Sequence, residues 1–179
     1  MPSRLLILLV VAVTACTVAV AAGARADRGA SSVPRLPALP ASDRLPSNRC
    51  PIPSEFRPAF TRAANDTGFQ LSMLVAVAQV ESRFVANARS AKDARGLLQV
   101  LPATGASLKL DVNEPATNVL AGARYLRILL DRYNRTDLAL AAYNAGPTAI
   151  DANQDVLGPI SMRYVANVEA RWTALAGCS

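Results

Sequence analysis

Leu71-Ser-Met-Leu-Val-Ala-Val-Ala-Gln-Val-Glu-Ser-Arg-Phe-Val85 is the segment that decides the fold we expect for this chain. It is predicted to be a helix that is apolar almost all round, and such a helix belongs in a protein core. One stripe of residues at helical spacing contains a single carboxylate. The members of this stripe are Leu74, Val77, Ala78, Glu81, Phe84 and Val85.

Two hypotheses account for Glu81 on this apolar stripe. Burial removes the hydration of a carboxylate, which disfavours its charged form and raises its pKa. An acid that is still protonated near neutral pH can act as a general acid. Alternatively, Glu81 pairs with a buried arginine such as Arg83 or Arg124. The spacing alone leaves both hypotheses open.

The composition narrows the chemistry that is available. The chain has 179 residues, enough for about one domain, and no histidine. The lack of histidine excludes His-based triads, His-ligated metal sites and histidine proton shuttles. The net charge of +6, carried mostly by arginine, suits an anionic partner such as nucleic acid, a membrane surface or an acidic cell-wall polymer. Because the arginines are scattered and not interleaved with aromatic residues, we do not expect nucleic acid.

Residues 1–26 are predicted to be a targeting segment. Arg4 precedes an apolar run over residues 5–22, and Ala24-Arg-Ala26 offers small residues at the two positions that a signal peptidase reads. We expect cleavage near Ala26. An uncleaved membrane anchor and a lipid on Cys16, within a lipobox-like Val-Thr-Ala-Cys, are the alternatives. All three place the rest of the chain outside the cytoplasm, secreted or associated with the cell envelope.

Residues 27–49 are predicted to be a proline-rich linker and residues 50–179 the folded domain. Once Cys16 leaves with the signal or carries a lipid, Cys50 and Cys178 remain at the two ends of the domain. In an oxidising compartment the simplest interpretation is one disulfide between them. Two free buried thiols are the alternative.

The domain is predicted to be mainly α, with a very small β region. Asn113 and Thr136 are candidate helix caps. Residues 87–95 are expected to form a loop, and residues 96–101 a small strand or an irregular turn. The first expected helix begins at Ser54 or Arg57 and ends at Gly68. Five further helices are expected, spanning about 71–85, 102–108, 114–133, 137–144 and 161–175.

Four short motifs follow one another at plausible spacing. They are Glu81-Ser82-Arg83-Phe84, then Gly96-Leu97-Leu98-Gln99 with Pro102-Ala103-Thr104, then Asn118-Val-Leu-Ala-Gly122-Ala-Arg-Tyr125-Leu126, then Ala141-Ala142-Tyr143-Asn144-Ala145-Gly146-Pro147. Together they resemble the soluble-lytic-transglycosylase domain, a goose-lysozyme-like family that cuts bacterial peptidoglycan. The resemblance covers roughly residues 52–172.

The resemblance implies a lysozyme-like fold with a glycan cleft between two helical lobes. It implies that Glu81 is the catalytic acid. It further implies a set of substrate-binding residues, namely Ser82, Leu98, Gln99, Tyr143, Asn144 and Tyr164. The chain departs from the family pattern at three places: Leu98 stands where Met is preferred, Asp93 where Gly is frequent, and Ile160-Ser161 where a Glu-Thr pair precedes the tyrosine.

The implied activity is that of a lytic transglycosylase acting on peptidoglycan strands. Glu81 protonates the oxygen between N-acetylmuramic acid and N-acetylglucosamine, then takes a proton from the muramyl C6 hydroxyl, which closes a 1,6-anhydro ring. No metal or cofactor is implied, and we expect a monomer. A hydrolytic goose-type lysozyme is the alternative, with Asp93 the nearest candidate for its second carboxylate. Non-catalytic alternatives are a peptidoglycan-binding or secretion scaffold and an anchored helical interaction module.

Overall fold

The computed structural model describes residues 49–152 and 158–179. The predicted targeting segment and nearly all of the predicted linker lie outside these residues. No helix within the described part is both long and apolar enough to cross a membrane. The described residues form seven helices, α1 (Arg57–Thr67), α2 (Leu71–Glu81), α3 (Pro102–Ser107), α4 (Pro115–Tyr133), α5 (Thr136–Ala145), α6 (Pro147–Asp151) and α7 (Pro159–Ala174). The predicted mainly α fold class is confirmed.

The join between α1 and α2 follows the sequence signals. α1 carries Pro58 in its first turn, where backbone N–H groups have no acceptor within the helix, so proline costs no hydrogen bond there. It ends at Gly68, whose φ of +71° is the left-handed conformation that glycine adopts without steric cost. The Gly68 N–H donates to the Ala64 carbonyl and closes the helix end. Of the two predicted starts of this helix, Arg57 is confirmed and Ser54 is wrong, and the predicted end at Gly68 is confirmed.

α2 is the core helix that the apolar run predicted. All of its residues from 72 to 78 are buried, and it packs against α1 and α7. It ends at Glu81, however, so the expectation that it continues to Val85 is wrong. Arg83 and Phe84 have φ values of 53° and 64°, which no right-handed helix can contain. As a result Val85 leaves the stripe and is 49% exposed.

The chain between α2 and α3 contains the small β region. Two isolated antiparallel bridges pair Arg95 with Arg89 and with Val100. The turn over residues 96–99 lies between the two bridge partners Arg95 and Val100, with φ of 72° at Gly96 and 48° at Gln99. The predicted small strand or irregular turn is therefore an irregular turn.

Two predicted helix caps are wrong. α4 begins at Pro115 with no side-chain cap, and the Asn113 amide oxygen accepts instead from Arg95 Nη1 at 2.9 Å. A tertiary partner thus takes the oxygen that a cap would have used. Thr136 is the first helical residue of α5 and not its cap.

α7 brings the C-terminal part of the domain onto α2 and α5. Val165 and Val168 are buried as expected, and Trp172 is partly buried. The Trp172 indole N–H donates to Gln70 Oε1 at 3.0 Å, which ties α7 to the start of α2.

The two ends of the domain are joined by the predicted disulfide between Cys50 and Cys178. The Cys50 N–H donates to the Ser179 carbonyl, and Arg57 Nη2 donates to the Cys50 carbonyl at 2.5 Å. The bond closes a loop between residues 128 positions apart in the sequence.

Replacing both cysteines should lower the free energy of unfolding by about 2–5 kcal/mol, because a long closed loop restricts the unfolded chain most. We expect this loss for Cys50→Ala with Cys178→Ala, measured by urea denaturation. Wild-type protein treated with a reducing agent serves as the control and should match the double variant. Equal stability of the oxidised wild type and the double variant would contradict a stabilising disulfide.

α4 lies close to the turn over residues 96–99 and to α5 at Gly122. A Cβ built on Gly122 would lie 2.6 Å from Leu98 Cβ and Cδ1 and 2.8 Å from the Tyr143 hydroxyl oxygen. Non-bonded carbon atoms do not approach so closely, so only glycine fits here without a shift of the turn or of α5.

Gly122→Ala should therefore destabilise the protein by about 1–3 kcal/mol through overpacking, although Ala is the better helix former. Gly158→Ala is the matched control, since a Cβ there would meet nothing within 4 Å. Thermal and urea unfolding of the two variants should separate them clearly. A Gly122→Ala variant as stable as Gly158→Ala would show that the packing yields easily.

Candidate active site

Glu81 lies at the C-terminal end of α2, with a tyrosine as its partner. The Tyr164 hydroxyl, on α7, donates to Glu81 Oε1 at 2.6 Å. Arg124 instead pairs with Asp66 at 2.8 Å, and Arg83 is exposed. No salt bridge in the described part of the chain includes Glu81. The hypothesis that Glu81 neutralises a buried arginine is therefore wrong.

The surroundings of Glu81 make it a weak acid. Burial raises the pKa of Glu81 from 4.5 to about 7. The hydrogen bond from Tyr164 acts in the opposite direction on this pKa, because it stabilises the charged carboxylate. The side chain can consequently hold a proton at neutral pH and also release it.

An open cavity of about 330 Å³ lies in front of Glu81. It brings together side chains from the end of α2, the following loop and the end of α5. Glu81 is the only acidic residue among the described residues that line it. The lining residues are Glu81, Ser90, Ala91, Lys92, Ala94, Gln99, Leu101, Tyr143 and Asn144.

Tyr143 forms one wall of this cavity and is held on two sides. Its hydroxyl donates to the Leu98 carbonyl at 2.7 Å. Its ring lies against the Tyr125 ring, with centroids 5.6 Å apart. Asn144 follows it at the mouth of the cavity and is exposed. The Tyr143 ring is thus fixed by the protein, while the Asn144 amide is open to a ligand.

Gln99 lines the cavity, but its amide nitrogen faces the loop. Gln99 Nε2 donates to the Gly96 carbonyl at 3.0 Å and to the Ala88 carbonyl at 3.2 Å. These bonds tie the turn to the preceding loop. The amide oxygen of Gln99 is the group of this side chain that remains to face a ligand.

Ser82, Leu98 and Tyr164 lie behind the cavity wall. All three are buried. The Ser82 hydroxyl donates to the Leu97 carbonyl at 2.8 Å, and the Leu98 side chain packs next to Gly122. Of the seven site residues implied by the resemblance, Glu81, Gln99, Tyr143 and Asn144 therefore share the cavity, while these three support it from within.

Asp93, the candidate second carboxylate, is bound by two arginines. Its oxygens lie 2.5 Å from Arg89 Nε and 2.9 Å from Arg95 Nη2. These hydrogen bonds lower the pKa of Asp93 to about 2, so it is ionised at neutral pH. Its φ of 64° is a left-handed conformation that suits glycine and that aspartate tolerates. Asp93 does not line the cavity.

Three residues shape this region without a role predicted from the sequence. Lys92 and Leu101 line the cavity, and no periodic pattern marks residues in such loops. Asn118, on α4, is fully buried at 0% exposure. It is the first residue of the third motif and lies one turn before Gly122 on an apolar helix face, where a polar residue is the signal of a buried hydrogen-bonding role.

Two other cavities lie away from Glu81. One, of about 500 Å³, lies beside the disulfide between Arg57, Phe69, Gln70 and the last residues of the chain. The other, of about 230 Å³, lies between the loop and Val112. Neither is lined by an acidic side chain. In the described residues, no three His, Cys, Asp or Glu side chains come together as a metal site would require.

The raised pKa of Glu81 should make stability depend on pH. The folded protein keeps a proton that the unfolded chain releases above about pH 4.5, so the wild type loses stability as the pH rises from 4.5 to 7. Glu81→Gln removes this loss. We expect its stability relative to the wild type to increase by up to about 3 kcal/mol between pH 4 and pH 8.

Urea denaturation at pH 4, 6 and 8 measures this difference. Glu169→Gln, a change of an exposed glutamate on α7, is the matched control and should follow the wild type. A Glu81→Gln variant with the same pH dependence as Glu169→Gln would show that burial does not raise this pKa.

Comparison with known proteins identifies the family. The family model described as the transglycosylase SLT domain matches residues 58–156. A Nitrosospira multiformis protein named membrane-bound lytic murein transglycosylase F is 33% identical over 113 residues, which are 59% of this chain and 24% of that protein. A protein of Enterobacteria phage PRD1 named transglycosylase is 39% identical over 108 residues, 60% of this chain and 39% of that protein.

The solved structure of the lytic transglycosylase Slt of Pseudomonas aeruginosa, an inactive mutant, is also similar. It has a TM-score of 0.61 and 27% sequence identity, and the match covers 69% of this chain and 24% of that one. The chain thus spans about a quarter of the length of this protein and of the Nitrosospira relative. The likeness confirms the fold class that the four motifs implied. Since the family model matches more than half of its residues, the chain belongs to the transglycosylase SLT domain family.

Proposed function

We propose that this chain is a peptidoglycan lytic transglycosylase that cleaves the β-1,4 bond between N-acetylmuramic acid and N-acetylglucosamine. The observation that carries the proposal is Glu81, a partly buried acid whose pKa is about 7 and which is the only acidic residue among the described residues that line the cavity. The relatives named lytic murein transglycosylases support the same substrate class.

In the first step protonated Glu81 gives its proton to the glycosidic oxygen. The bond between that oxygen and the muramyl C1 breaks, and the N-acetylglucosamine part leaves as an alcohol. The positive charge that develops on the muramyl ring resembles an oxocarbenium ion. The substrate's own N-acetyl group can share this charge, as in substrate-assisted glycosidases.

In the second step the Glu81 carboxylate takes a proton from the muramyl C6 hydroxyl. The C6 oxygen bonds to C1 and forms the 1,6-anhydro ring, so Glu81 regains its proton and no water is consumed. The nucleophile is part of the substrate, and most of the entropy of bringing it to C1 is already lost. Between the steps the Tyr164 hydroxyl stabilises the Glu81 carboxylate, because it donates to Oε1.

The other implied site residues would act around this exchange. We assign substrate contact to Gln99, Tyr143 and Asn144, which line the cavity with Glu81. Leu98 would contribute through its backbone, since its side chain is buried. Ser82 and Tyr164 would hold the turn and the acid respectively, because their hydroxyls already donate within the protein.

A hydrolytic lysozyme is less well supported. Hydrolysis by two carboxylates requires a second one about 5 to 9.5 Å from the first. Asp93 was the candidate, but both of its oxygens are bound by arginines outside the cavity. A non-catalytic scaffold is also less well supported, because burying Glu81 without a cation lowers stability and a scaffold gains nothing from it.

The proposed place of action is the cell envelope, outside the cytoplasm. Relatives named membrane-bound murein transglycosylases agree with this location. We retain the proposal that residues 1–26 are a secretory signal cleaved near Ala26, with a lipid on Cys16 as the alternative. Residues 27–49 would then be the linker and residues 50–179 a monomeric enzyme domain acting on glycan strands.

The test is digestion of purified peptidoglycan, with the products identified by mass spectrometry. The wild type should give muropeptides one water lighter than hydrolysis products, with ends resistant to borohydride. Glu81→Gln should lose activity by about a thousandfold or more while remaining folded, since it can neither give nor take the proton. Glu169→Gln, the exposed control, should keep the wild-type rate.

Other results would point to other functions. Borohydride-reducible ends would mean that water is the nucleophile and that the protein is a lysozyme. A folded wild type that yields no product would favour a scaffold. A Glu81→Gln variant that retains activity would remove Glu81 from the mechanism.

A further inference from the structure

The peptide bond between Leu97 and Leu98 is held at both of its polar groups by side chains. The Ser82 hydroxyl donates to the Leu97 carbonyl at 2.8 Å, and the Leu98 N–H donates to Asn118 Oδ1 at 2.9 Å. The next carbonyl, that of Leu98, accepts from the Tyr143 hydroxyl at 2.7 Å. Three separate parts of the chain thus meet on one short stretch of backbone.

Asn118 uses its whole amide in this arrangement. Besides accepting from Leu98, it donates through Nδ2 to the Arg95 carbonyl at 2.7 Å and to the Val112 carbonyl at 2.8 Å. A Cβ on Gly96 would lie 2.5 Å from the same Nδ2, so the turn closes directly on the amide. With 0% exposure, Asn118 cannot touch a ligand in the cavity.

These contacts connect Asn118 to the cavity through the two successive peptide groups that meet at the Leu98 Cα. A change of the backbone at Leu98 that displaces its N–H also displaces its carbonyl, which accepts from the Tyr143 hydroxyl. Tyr143 lines the cavity that contains Glu81, so its placement depends on the hydrogen bond that Asn118 makes to the Leu98 N–H. A lost or displaced Asn118 amide would therefore alter the cavity wall without touching it directly.

We propose that Asn118 is a positioning residue for the transglycosylase reaction, acting through the Leu98 backbone, from its N–H to its carbonyl, on the Tyr143 hydroxyl. The inference rests on the proposed function and deepens it, because it assigns the placement of Tyr143 to a residue outside the cavity. A purely structural Asn118 would affect the amount of folded protein, whereas a positioning Asn118 affects the rate of each folded molecule.

A double-mutant cycle between Asn118→Ala and Tyr143→Phe separates the two roles. Both kcat and KM are measured on soluble glycan strands, at a temperature well below the unfolding of every variant. Each single change should lower kcat by about tenfold or more, and the double variant should be no slower than the slower single variant. Losses that multiply in the double variant would overturn the positioning role.

Thr67→Val is the matched control for the loss of a buried hydrogen bond. The Thr67 hydroxyl is buried in α1 and donates to the Ala63 carbonyl at 2.7 Å. This variant should be less stable than the wild type and keep its kcat. If Thr67→Val lowers kcat as much as Asn118→Ala does, the rate effect reflects general destabilisation and the proposal is overturned.

Gly96→Ala provides a second way to displace the amide if Asn118→Ala does not fold. Its Cβ would lie 2.5 Å from Asn118 Nδ2, and at a φ of 72° it also strains the turn, so the amide and the Leu98 backbone are displaced together. Its losses should also fail to multiply with those of Tyr143→Phe. Multiplying losses here would overturn the role of Asn118 in an active enzyme. A folded wild type with no activity on the strands would instead overturn the proposed function, and the role of Asn118 with it.

Discussion

The partial burial of Glu81, which has no cationic partner among the described residues, is the constraint on which the rest of the structure depends. A carboxylate in such surroundings reduces stability at neutral pH, so the helix that carries it must be held by other interactions. The seven consecutive buried residues of α2 supply them, and α7 packs against the same helix. α7 also carries Tyr164, whose neutral hydroxyl donates a hydrogen bond to Glu81 in place of a cation.

The turn over residues 96–99 is also constrained by the burial of polar groups. It lies in the interior but belongs to no regular strand, so its backbone polar groups need side chains as partners. Ser82, Asn118 and Tyr143 fill this need from the end of α2, from α4 and from α5. Gly122 allows this convergence, because any larger residue would collide with both Leu98 and Tyr143. One set of contacts thus satisfies the turn and shapes the cavity.

Local signals in the sequence correctly predicted those features of the helices that depend on neighbouring residues. The apolar run identified α2 as the core helix, and Gly68 marked the end of α1. The end of α2 could not be predicted from local signals, because the residue that follows it makes a tertiary contact. The Ser82 hydroxyl donates to the Leu97 carbonyl, fifteen residues later in the chain. The cap expected at Asn113 failed for the same reason, since Arg95 takes its oxygen. The motifs predicted which residues lie near the cavity. Only the folded structure shows which of them line the cavity and which lie behind its wall.

The chemistry of a single acid also explains why its pKa lies where it does. In the proposed reaction Glu81 must first give a proton and then take one, and a pKa near the working pH serves both steps best. Burial alone would raise the pKa further and make Glu81 a weaker acid in the first step, and the Tyr164 hydrogen bond acts against this by lowering the pKa. Asp93 cannot share the task, because Arg89 and Arg95 keep it ionised outside the cavity. In the proposed reaction both proton transfers therefore fall to Glu81.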